Sequence, residues 1–72
     1  MTDYHINIFA SEEDSGYIAD VPDLPYCSAF GITPEEALAE VQRAKEAWLA
    51  AAIEAGKPVP QPKYRPAIYQ AT

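Results

Sequence analysis

One helix start constrains this chain more than any other feature. Thr33-Pro34-Glu35-Glu36 sets a hydroxyl cap, a proline at the first helical position and a carboxylate three residues past the cap. Thr33 and Glu36 can each satisfy an amide that the first helical turn leaves unpaired. No breaker follows until Gly56, which can close a helix in the left-handed conformation. A helix from Pro34 to about Ala55 is expected. Along it Ala37, Leu38, Val41, Ala44, Trp48, Leu49 and Ala52 make one apolar stripe, with Glu40, Arg43, Ala47 and Glu54 opposite. Lys45 falls inside the stripe, so its stem should pack while its ammonium reaches water.

The residues before the helix read as strands. Tyr4 to Phe9 alternates, with Tyr4, Ile6 and Ile8 on one side and His5, Asn7 and Phe9 on the other, the period of a strand with one buried face. Ser11-Glu12-Glu13-Asp14-Ser15-Gly16 is polar and ends in glycine, as a hairpin connection does. Tyr17 to Val21 is the returning strand. Pro22-Asp23-Leu24-Pro25 cannot continue a ladder, because proline donates no N–H. Cys27 to Phe30 is a short third strand closed by Gly31. After the helix, Lys57-Pro58-Val59-Pro60-Gln61-Pro62 is an extended arm stiffened by proline. Tyr64 to Tyr69 can add an edge strand broken by Pro66. The expectation is one α+β domain over residues 1–72, in which a three-stranded antiparallel sheet packs on one long helix.

The helix raises a question of cover. It would span roughly 33 Å, while strands of five or six residues span only about 17–20 Å. The end carrying Trp48, Leu49, Ala52 and Ile53 overhangs such a sheet, which points to a second subunit on those residues. Size points the same way, because 72 residues make a marginal core that usually needs a staple or a partner. Cys27 is the only cysteine, so no intrachain disulfide can form, which fits a reducing compartment. No apolar run reaches membrane-spanning length and no basic leader opens the chain, so a cytoplasmic location is expected. Eleven acidic residues against five basic ones give a net charge of -6. That balance repels nucleic-acid phosphates and attracts a basic protein.

No catalytic constellation is spelled out. His5 is the only histidine, on the polar side of the first strand, and Cys27 has no basic neighbour to activate its thiol. Glu12, Glu13 and Asp14 lack the spaced pattern of a calcium loop and read as a solvated hairpin tip. No metal or cofactor is expected. Tyr17 and Tyr26 flank this acidic hairpin and the Pro-Asp-Leu-Pro turn. Aromatic rings beside carboxylates are good anchors for a basic protein, although the same rings can simply cover the sheet. The candidate partner-binding residues are Glu12, Glu13, Asp14, Tyr17, Asp20, Asp23 and Tyr26.

Gly16-Tyr17-Ile18-Ala19-Asp20-Val21-Pro22-Asp23-Leu24-Pro25, continuing through Cys27-Ser28-Ala29-Phe30-Gly31-Ile32-Thr33-Pro34-Glu35-Glu36-Ala37-Leu38, resembles the hairpin and helix start of the HicB antitoxin family. Gly56-Lys57-Pro58-Val59-Pro60-Gln61-Pro62 is similar to that family's helix exit, so the resemblance covers almost the whole chain. It implies a β-β-β-α-β layout, a partial RNase H-like fold that assembles into dimers or larger oligomers. It also implies a binding role, blocking a HicA-type toxin, a small basic protein that cleaves messenger RNA. Asp20 and Asp23 invite comparison with the metal carboxylates of true RNase H enzymes, but the family uses the fold without that activity. Tyr26 stands where the family usually has glycine, which puts the turn before the third strand in doubt. Many members also carry a C-terminal DNA-binding segment, and a chain ending at Thr72 without one is not expected to bind an operator. The alternative reading is a stand-alone protein of this type without a toxin, acting as an oligomeric adaptor or ligand-binding regulator.

Overall fold

The computed structural model describes residues 3–64. β1 (Asn7–Ser11), β2 (Gly16–Asp20) and β3 (Ser28–Gly31) form an antiparallel sheet in chain order, and α1 (Pro34–Glu54) packs against one face of it. The α+β layout read from the sequence is the one observed. The strand expected over Tyr64 to Tyr69 falls, past Tyr64, outside the described residues.

The helix start follows the expected chemistry with one change. The Glu36 amide donates to Thr33 Oγ1 at 3.1 Å, and the Glu36 carboxylate accepts from the Ile32 amide rather than from the cap residue itself. At the far end the Lys57 amide donates to the Ala52 carbonyl and the Gly56 amide to the Ile53 carbonyl, both across Gly56 at φ 70°. That pair of bonds is the Schellman closure, which needs the positive φ that glycine adopts freely.

β1 begins at Asn7, not at Tyr4. Asn7 pairs with Asp20, the last residue of β2, and past Asp20 the chain turns away at Pro22. Among the described residues Tyr4 and Ile6 have no ladder partner, yet they keep the strand parity and pack on the core. The turn between β1 and β2 also differs from the expected one. Its left-handed residue is Ser15 (φ 54°), while Gly16 begins β2.

The connection from β2 to β3 is two successive four-residue turns, each with proline in second place. The Leu24 amide donates to the Val21 carbonyl across Val21-Pro22-Asp23-Leu24, and the Cys27 amide donates to Leu24 across Leu24-Pro25-Tyr26-Cys27. In the second turn the third residue, Tyr26, sits at φ 64°. Proline followed by a positive φ is the type II pattern, whose third position favours glycine. The turn before β3 thus keeps the geometry glycine would give, with a tyrosine in the strained place. The double turn drives Leu24 into the core and closes with the Val21 amide on the Cys27 carbonyl at 2.9 Å.

The buried apolar set is small: Ala19, Val21, Leu24, Cys27, Ala37, Val41 and Ala52, of which Leu24, Val21 and Val41 are the largest fully buried side chains. Gly31 brings sheet and helix together. A Cβ there would stand 2.2 Å from the Ala37 nitrogen, so β3 can approach α1 only without a side chain at that position. The overhang foreseen for the helix is met partly from within the chain. Trp48 donates its indole N–H to the Pro25 carbonyl at 2.9 Å, and the arm after Gly56 turns back over the alanine-rich end of α1 beside Pro58. Lys45 behaves as expected, its stem covered and its Nζ 3.0 Å from both carboxylate oxygens of Asp3. No helix among the described residues is long and apolar enough to cross a membrane.

Candidate partner-binding surface

The seven candidate residues fall into two groups at opposite ends of β2, plus Tyr17 on the helix side of the sheet. Glu12, Glu13 and Asp14 form the β1–β2 turn and are exposed, with Asp14 Oδ2 accepting from the Ser11 hydroxyl at 3.0 Å. Asp20, Asp23 and Tyr26 lie at the other end. Tyr17 pairs with Ala10 and Gly31 and packs on the core, so it covers the helix side of the sheet.

Asp23 is engaged within the chain. Its carboxylate accepts from the amides of Lys63 and Tyr64 at 3.0–3.1 Å, and the Tyr4 hydroxyl donates to the Pro60 carbonyl. Together these tie the proline arm across the double turn and the chain preceding β1. Tyr64 then meets His5 with ring centroids 5.0 Å apart, while His5 Nε2 is 2.7 Å from Asn7 Oδ1. Histidine 5 is thus held in a packing and hydrogen-bonding role. Tyr26 is fully exposed, its ring touching nothing that would reward its strained backbone. Asp20 is half-buried, and its Oδ1 is shut off from solvent with no hydrogen-bond partner among the described residues.

Of the residues expected at a subunit interface, Trp48 and Leu49 pack on the chain's own core and Ala52 is buried. Ile53 is the one left outside, 68% exposed. Cys27 is buried, and that burial pushes its thiol pKa up, partly opposed by Lys45. A thiol held protonated is a poor nucleophile. Among the described residues no three His, Cys, Asp or Glu side chains converge on a metal position.

The register shows what the sequence reading passed over. Phe9, Ile18 and Phe30 are cross-strand neighbours on β1, β2 and β3, and they stand on the face away from the helix, because Ala19 and Ala29, one step along, face the core. Phe9 is 51% exposed and Phe30 41%. The signal was present in the parity: Ile18 and Phe30 are apolar at positions where a sheet with one wet face has polar residues. Charge is just as uneven. Nine of the eleven acidic residues, Asp3 through Glu40, precede Arg43, the first basic residue of the chain.

The family model described as HicB_like antitoxin of bacterial toxin-antitoxin system matches residues 4–71. No curated protein and no solved structure matches the chain.

Proposed function

This chain belongs to the HicB-like antitoxin family of bacterial toxin–antitoxin systems, and from that premise we propose that it neutralises a HicA-type, mRNA-cleaving toxin by covering the toxin's RNA-binding and catalytic surface. The action is steric and needs no catalytic residue or cofactor of its own. The observation that carries the reading, beside the family, is the charge distribution. A sheet and hairpin built from residues that include no lysine or arginine face a partner that must be basic to hold RNA. Opposite fields of this kind speed encounter and exclude wrong partners. They also set this chain against direct binding to nucleic acid. The work is done in the cytoplasm, where the toxin meets messenger RNA.

A homo-oligomer, a dimer or tetramer, fits the same picture. A core whose largest buried side chains are one leucine and two valines is small for independent stability, and exposed Ile53 offers an apolar contact at the end of α1. The test of function is co-expression. A short basic reading frame is expected beside the gene for this chain; its product should arrest growth alone, and the arrest should lift when this chain is made with it. Persistent arrest, with both proteins present at comparable levels, would leave a stand-alone adaptor as the better reading.

A further inference from the structure

We propose that the helix-free face of the sheet is the surface that receives the basic partner, with Phe9, Ile18 and Phe30 as apolar anchors and Asp14 and Asp20 as sockets for its cations. This rests on the antitoxin reading and deepens it by moving the anchors from Tyr17 to the opposite side of the sheet. The three side chains lie in one register row, about 10 Å across from first strand to third. Phe30 is held in place by an absence: a Cβ on Gly16 would stand 2.4 Å from its Cζ, so the ring lies over the glycine. A shallow groove lined by Asp14, Ile18, Ser28, Ala29 and Phe30 joins this row to the acidic turn. Apolar anchors inside a polar rim are the anatomy of a protein interface.

The occupant is a basic protein and not a second copy, on two grounds. The residues forming this face include aspartates but no lysine or arginine, so a face-to-face pair would press carboxylates together with nothing to neutralise them. The described basic side chains are on α1 and the arm, and two of them, Arg43 and Lys45, are paired with Glu40 and Asp3. Asp20 supplies the second ground: it shares the face of Ile18, two residues away, and adds a second carboxylate to Asp14 in the field that draws a cationic partner to this side of the sheet.

Calorimetry with the full chain and a HicA-type toxin, the basic protein proposed as its partner, tests the assignment. Phe9→Lys and Asp14→Lys change exposed positions and should weaken binding about 30-fold or more each, as loss of a central contact does. Ala47→Lys, the same change in charge as Phe9→Lys but on the solvent side of α1, should leave affinity unchanged. Thermal melting and sedimentation of the same variants complete the test. The proposal expects melting and oligomeric state to stay as in the wild type. Equal binding by wild type and both face variants would overturn this surface and leave the antitoxin reading standing. A wild-type chain that does not bind the basic protein would overturn both. A Phe9→Lys chain that melts much earlier, or falls apart into smaller species, would show the face already covered by this chain or a second copy, and would also overturn the proposal.

Discussion

Tyr26 makes a sharp experiment because its backbone strain and its side chain can be separated. The residue sits at φ 64° in the third place of a type II-like turn and is fully exposed. A non-glycine residue held left-handed costs about 1–2 kcal/mol. Glycine removes that cost but adds about 0.5–1 kcal/mol of chain entropy to the unfolded state. No buried area is lost, since the ring covers nothing. Tyr26→Gly should therefore gain about 0.5–1 kcal/mol, which for a chain of this length raises Tm by about 3–6 °C. Tyr26→Ala keeps a Cβ at the same φ and should melt with the wild type. Differential scanning calorimetry on the three chains reads the difference directly. Equal melting of the glycine and alanine variants would refute the strain argument. If the ring is kept in that position for a partner, both variants should also dissociate faster from the toxin, by the same factor.

Three further outcomes follow from the packing. Gly31→Ala should cost about 3 kcal/mol, because its Cβ meets the Ala37 backbone and only separation of β3 from α1 can relieve the clash; urea melts measure it, and a loss below 0.5 kcal/mol would contradict the close approach. Trp48→Phe removes the bond to Pro25 while keeping an aromatic ring, and should cost about 1 kcal/mol; an unchanged urea midpoint would mean that the indole donor is equally content in water. Cys27 should resist iodoacetamide in the folded chain and react on unfolding, because burial raises its pKa. A thiol pKa raised by folding adds stability that is present below the unfolded-state value and fades as pH climbs through the folded one. Cys27→Ala should lessen that alkaline loss, and a variant that loses stability above pH 9 as steeply as the wild type would argue against it.

What the sequence made legible was local. The Thr33-Pro34-Glu35-Glu36 start and the Gly56 stop act within one turn of the residues that encode them, and α1 falls where they put it. Strand parity was legible too, though not strand limits: Tyr4 and Ile6 have the right period but no ladder partner among the described residues. Asp23 illustrates what is not local. A carboxylate between two prolines reads as a surface charge until the chain returns forty residues later and offers it the amides of Lys63 and Tyr64. Cover for the overhanging end of α1 was invisible for the same reason, since the Pro25 carbonyl reaches Trp48 only after the double turn has formed. The row of Phe9, Ile18 and Phe30 needed the register, because two apolar faces on one thin sheet look, residue by residue, like one face imperfectly patterned.

The most direct measurement is a titration of this chain into a fixed amount of the toxin proposed for it, a HicA-type protein, while that toxin cleaves a messenger RNA. Steric cover predicts that cleavage falls in proportion to added protein and stops at a fixed stoichiometry of toxin to antitoxin. Raising salt should slow the onset of inhibition, because exposed charges are screened beyond about 10 Å at 0.1 M, while leaving the end point where it was. A toxin that goes on cleaving at full rate in excess of this chain would contradict the account.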